Sequence, residues 1–234
     1  MPMKRCRNSF VRAFNLIELL IVVACLGILA ALLLPSLARP HGTYARINCV
    51  NNLKQIGVAF RTWALDNGDK YPMAVSITNG GTMELVGSRV VFTHFQVMSN
   101  ELSTPKILVC PEDAARQCAS TFATTVPPGV PNCIPFTSNT NVSYFVGIDA
   151  VDTQPLMFLA GDANIGLDRL RPQSGLQSFS TNGNVSWYQP RHENGKKGNI
   201  GIADGSVQAF NSKELRKALK ESGVTNRLAI PDFP

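Results

Sequence analysis

Residues 14–34 read FNLIELLIVVACLGILAALLL, an unbroken apolar run with one carboxylate, Glu18, near its start. No other stretch limits the fold as much. Folded as a helix, these 21 residues reach roughly 31 Å at about 1.5 Å per residue, the thickness of a bilayer's hydrocarbon core. A carboxylate in such a segment costs about 2.5–3.5 kcal/mol on insertion scales and implies a partner of opposite charge. Lys4, Arg5, Arg7 and Arg12 precede the run, while only Arg39 and Arg46 follow it closely. The positive-inside rule then predicts a short cytoplasmic N-terminus and a C-terminal bulk on the far side.

The same four basic residues account for most of the net charge of +6. From Phe14 onward 18 basic residues face 16 acidic ones, leaving only +2. No basic stripe interleaved with aromatics is present, which argues against nucleic-acid binding. The run KELRKALK (213–220) reads as one solvated face of a terminal helix.

A cleaved secretory signal competes for the N-terminal segment, because Ser36-Leu37-Ala38 has the small-x-small form of a signal peptidase site. The apolar run is longer than the usual 7–15 residues of such signals, and a charge near its start is unusual in them. An uncleaved anchor leaves Glu18 unexplained. The leader through Ala13, the start Phe-Asn-Leu-Ile-Glu-Leu at Phe14, Glu18 as fifth residue after Ala13 and a proline, Pro35, twenty-two residues in together resemble the type IV pilin-like proteins. That family includes the pseudopilins of type II secretion systems. The resemblance implies cleavage after Ala13 and methylation of Phe14 by a prepilin peptidase. It also implies assembly with other pilin or pseudopilin subunits, in which Glu18 pairs with the N-terminal ammonium of a neighbour. Ala13 replaces the family's usual Gly, and Asn15 its usual Thr or Ser. The implied localisation is single-pass in a bacterial inner membrane, N-terminus cytoplasmic and C-terminal domain periplasmic, delivered by inner-membrane assembly machinery into a periplasmic or surface filament.

Beyond Pro35 the family's helix normally continues as a spine, but ARPHG (38–42) interrupts it here. Pro40 removes a donor and disfavours helical geometry at Arg39, so the helix is expected to break near 38–43. Tyr44, Ile47, Val50, Leu53, Gly57, Phe60 and Ala64 then recur at helical spacing, predicting a second helical part over 44–66. VVFTHFQVMSNEL (90–102) suggests a short helix and KILVC (106–110) a strand. NVSYFVGID (141–149) and PLMFLAGD (155–162) read as strands, and 163–197 as polar loops with Trp187 and Tyr188 packed on the sheet. GNIGIADGSVQAF (198–210) alternates around Asp204-Gly205, a hairpin signal, and Asn211 or Ser212 caps a last helix. The expected class is α+β: a leader over 1–13, a long transmembrane and spine helix over 14–35 continuing at 44–66, and a small antiparallel pilin-like sheet domain within 67–234.

Of six cysteines, Cys49, Cys110, Cys118 and Cys133 fall in the downstream domain. No CxxC is present and His41, His94 and His192 are scattered, so zinc spacing is lacking and disulfides are expected instead. Three pairings are possible. The favoured one joins Cys49 to Cys110 and Cys118 to Cys133. No hydrolase, nucleotide-binding or metalloprotease motif occurs, and the pairs Asp66/Asp69 and Glu112/Asp113 read as turn and cap residues. No enzyme and no cofactor is expected. GDANIGLD (161–168) offers Asp162, Asn164 and Asp168 as hard oxygen ligands for calcium, without EF-hand spacing or a closing Glu. Two functions follow: a non-enzymatic pseudopilin of a secretion pseudopilus or pilus-like filament, or an anchored module that binds polysaccharide through Trp187 and Tyr188 without polymerising.

Overall fold

The computed structural model describes residues 15–37, 41–126, 132–189, 192 and 197–232; in the first two helices the described side chains are those of 15–31 and 44–66. The leader, Ala13, Phe14 and Pro40 lie outside the described residues. The chain divides into two compact units, 1–40 and 41–234.

The first unit contains α1 (Leu16–Leu37), which runs through Pro35 to its final turn. Among the described residues no helix is long and apolar enough to cross a membrane. This corrects the expected transmembrane and spine helix, and with it the expected single-pass placement in an inner membrane. The next helix, α2 (His41–Asp66), is a separate element of the second unit, and its sequence mixes polar and apolar residues on every turn.

In the second unit, α2 buries Cys49, Leu53, Ile56, Phe60, Trp63 and Ala64 at steps of three or four, one face of the helix. It stops at Asn67-Gly68, where Gly68 takes φ +66 and the N–H groups of Asn67 and Asp69 both reach the carbonyl of Ala64. Short turns and two small helices, α3 (Phe92–Gln96) and α4 (Ser99–Leu102), follow. The strand expected at 106–110 is instead a 3-10 turn over Pro105–Leu108. Pro105 opens it, and the Thr104 hydroxyl accepts from the Lys106 N–H, a local cap that competes with strand pairing.

The sheet comes after this. Strands β1 (Tyr144–Gly147) and β2 (Phe158–Asp162) fall inside the two expected stretches. The supposed polar loops of 163–197 hold β3 (Ile165–Leu167), β4 (Gly175–Phe179) and β5 (Val185–Trp187). The hairpin β6 (Gly198–Ile202) to β7 (Val207–Phe210) turns at Asp204-Gly205, then come α5 (Ser212–Glu221) and an unanticipated strand, β8 (Asn226–Ile230). Six strands pair antiparallel in the order β4-β8-β1-β2-β6-β7, while β3 and β5 form a separate pair.

One face of the large sheet, with Tyr144, Val146, Leu159 and Ala160, packs with α2, α3 and α4. The other, with Phe145, Phe158, Ile200 and Leu228, packs with Leu215 and Leu219 of α5 and with Ile165, Val185 and Trp187 of the small pair. A sheet covered on both faces explains why β1, β2 and β6 are buried at every residue rather than alternately.

Candidate functional site

The polar residues most deeply enclosed gather where α2 meets the end of β2. Cys49 of α2 is disulfide-bonded to Cys110, with Cα atoms 5.3 Å apart and a sequence separation of 61. The 3-10 turn delivers Cys110, and Asn52 of α2 holds the same segment by donating to the Val109 carbonyl at 3.3 Å. The second expected bridge is absent. Cys118 and Cys133 are free thiols, and the Ser120 hydroxyl contacts the Cys133 sulfur at 3.2 Å in its place.

His192, fully buried, stands against this disulfide: its Nε2 lies 3.8 Å from the Cys110 sulfur and 3.1 Å from Oδ2 of Asp162. Its Nδ1 lies 3.1 Å from Oε2 of Glu112. Two backbone hydrogen bonds of 3.1 Å with Lys197 fix the His192 main chain just ahead of β6. Asp162 closes β2, and its Oδ2 accepts the Asn199 backbone N–H of β6 at 2.7 Å. Adjacent strands thus bring a carboxylate and an imidazole together from residues 30 apart. One ring nitrogen faces each carboxylate, an arrangement satisfied by a doubly protonated ring donating to both. It is equally satisfied by an Nδ1–H donor to Glu112 that leaves the Nε2 lone pair to a cation shared with Asp162. Nearby, Asp113 and Arg116 form a buried pair at 3.4 Å, and Arg116 also donates to the Asn139 carbonyl at 2.9 Å.

The calcium candidates do not converge. Asp162 belongs to the histidine cluster, Asn164 donates to the carbonyls of Tyr188 and Gln189, each at 3.1 Å, and Asp168 is exposed and accepts from Asn184.

No known protein family, curated protein or solved structure matches this chain.

Trp187 is buried, donates its indole N–H to the Phe210 carbonyl at 2.8 Å and lies so close to Gly198 that a Cβ there would come within 2.7 Å of the ring. It is a core residue, not a platform for a sugar. A groove of about 370 Å³ between α5 and the β6–β7 hairpin is lined by Phe158, Ile202, Phe210, Glu214 and Lys217. Glu214 is committed to capping α5 and Lys217 pairs with Glu221 at 3.6 Å, so the groove presents no acid/base couple. His192, Glu112 and Asp162 form the cluster that spacing rules missed: the contact between Cys110 and His192 spans 82 residues, and no short motif encodes it.

Proposed function

We propose that this chain is a non-enzymatic filament subunit of the pseudopilin kind, processed by a prepilin peptidase after Ala13 and polymerised through its N-terminal helix. The observation that carries the reading is the surface of α1. Leu16, Ile17, Leu19, Leu20, Ile21, Val23, Leu26, Ile28 and Leu29 are each 55–79% exposed around the helix. An apolar helix exposed on all sides demands a partner surface. Equivalent helices of neighbouring copies supply one of matching chemistry.

Glu18 fits the same scheme. It lies in the first turn of α1, where the helix dipole favours an anion, and accepts the Asn15 N–H at 3.3 Å. Inside a bundle of apolar helices its charge needs compensation, and the ammonium that cleavage would create at Phe14 of a neighbouring copy has the matching charge. Removing one partner of a buried ion pair costs about 3–5 kcal/mol, enough to stop subunit recruitment.

The test is made in cells of the native host. Intact-mass measurement is expected to show loss of residues 1–13 and one added methyl group on Phe14. Glu18→Ala is expected to be processed normally yet to give no filaments. Filaments at wild-type yield from Glu18→Ala, or a mature chain beginning at Arg39, would overturn the reading.

A further inference from the structure

We propose that the cluster around Cys49 and Cys110 is a redox-gated metal site: once their disulfide is reduced, Cys49, Cys110, His192 and Asp162 bind one zinc-like divalent cation. This stands independently of filament assembly, since it rests on the second unit alone.

The donor set is the first ground. The two cysteine sulfurs and a ring nitrogen of His192 all lie within 4.8 Å of one another, and all three residues are buried. Tetrahedral zinc, with bonds of about 2.0–2.3 Å, sets its ligand atoms about 3.3–3.8 Å apart. The Nε2 of His192 is already 3.8 Å from the Cys110 sulfur and 3.1 Å from Oδ2 of Asp162. Two thiolates, one imidazole and one carboxylate suit zinc better than calcium or magnesium, which take oxygen ligands.

The surroundings are the second ground. The Nδ1 of His192 faces Glu112, the carboxylate–histidine arrangement that fixes the tautomer and leaves Nε2 as the ligating atom. Among the described residues, Oδ1 of Asp162 and both side-chain polar atoms of Asn199 are buried without a hydrogen-bond partner. Buried polar atoms left in this way mark a place for a bound ion or water. Asp162 adjoins the cluster through its own contact with His192, and Asn199 is linked to it through the backbone N–H that donates to Asp162.

Atoms and electrons balance as follows. A dithiol reductant supplies two electrons and two protons, the Sγ–Sγ bond breaks to give two thiols, and the reductant closes its own disulfide. The cation then displaces both thiol protons, which pass to solvent. Either way α2 stays fixed to the Cys110 segment, by a covalent bond in oxidising surroundings and by the metal in reducing ones.

The experiment uses full-length protein in which Cys6, Cys25, Cys118 and Cys133 are replaced by Ser, so that Cys49 and Cys110 are the only thiols. Oxidised and phosphine-reduced samples are exposed anaerobically to zinc alone or cobalt alone, desalted and assayed for bound metal. One metal per reduced chain and none per oxidised chain is expected. Cobalt should show thiolate charge transfer and the intense visible bands of a tetrahedral site. X-ray absorption on the zinc form should give two sulfur and two lighter ligands. His192→Ala is expected to lose tight binding. Should that variant fail to fold, the absorption spectra of the parent still decide the matter. No uptake on reduction, equal uptake by oxidised protein, or bound metal without sulfur ligands would each overturn the proposal.

Discussion

Arg61 of α2 donates to the carbonyl of Ala203 across 2.7 Å, tying the helix to the turn of the β6–β7 hairpin. The turn is shaped for this contact. Gly205 holds φ +87, and a Cβ on it would fall 2.1 Å from a guanidinium nitrogen of Arg61. Arg61→Met removes a charge-assisted hydrogen bond while keeping most of the aliphatic stem, and is expected to cost about 1.5–3 kcal/mol in urea unfolding. Gly205→Ala combines a disfavoured backbone conformation with displacement of the guanidinium, and should cost about 1–3 kcal/mol. The double variant should cost less than the sum of the two, since both act on one contact.

His94 is buried and its Nδ1 lies 2.7 Å from the Thr82 hydroxyl. Burial lowers its pKa to about 4 from the ordinary 6.5. The unfolded chain therefore binds the proton more readily than the folded one between these values, so stability rises with pH through that window. The contribution is complete above about pH 6.5 and is lost as pH falls towards about 4, a change on the order of 3 kcal/mol. His94→Gln, which keeps a hydrogen-bonding group for Thr82, is expected to flatten this part of the pH–stability profile. An unchanged slope would show that other groups set it.

The cysteines make different predictions for their two sets. Loss of the Cys49–Cys110 bridge, whose loop is 61 residues, should cost about 4 kcal/mol under oxidising, metal-free conditions. Cys118 is exposed and unbonded. It should react with maleimide in the native protein, and Cys118→Ser and Cys133→Ser should leave the unfolding midpoint unchanged.

Asn211 caps α5 with its side-chain oxygen, which accepts from the N–H groups of Lys213 and Glu214 at 2.9 Å each, while Glu214 returns a contact to the Asn211 N–H at 2.8 Å. Asn211→Ala should cost about 1 kcal/mol, and Asn211→Asp should cost little, because the carboxylate accepts the same bonds and favours the helix N-terminus.

Those elements whose signal is local were legible in the sequence. The helical recurrence marks α2, although of the residues read on its face Leu53, Phe60 and Ala64 are buried while Tyr44 and Ile47 are exposed; the Asp204-Gly205 turn marks its hairpin, and Asn211, one of two cap candidates, the start of α5. Strands β4 and β8, with sequences GLQSF and NRLAI, lack clean alternation, and their identity comes from each other: five residues of each pair in register. Such pairing is a long-range fact that no window of sequence carries. The N-terminal run showed the opposite failure: its strong local apolar signal suggested a membrane span, whereas among the described residues no helix is long and apolar enough to cross a membrane. At the candidate site the Cys49–Cys110 pairing was among three open to the sequence, but His192 could be placed there only by the register of β2 and β6. Motif spacing detects sites built within one loop, and this one is assembled from four separate segments.

The strand β8 is the last of the eight in chain order, yet it lies inside the sheet between β4 and β1. On the ribosome, β1, β2, β6 and β7 emerge with their partners and can pair as they appear, whereas β4 must wait for β8 before it has any neighbour in the large sheet. Until then β1 presents an open edge flanked by apolar residues, a template for pairing with another nascent chain. Completion of the large sheet therefore waits for β8, and the interval before it closes is when a holding chaperone has most to protect.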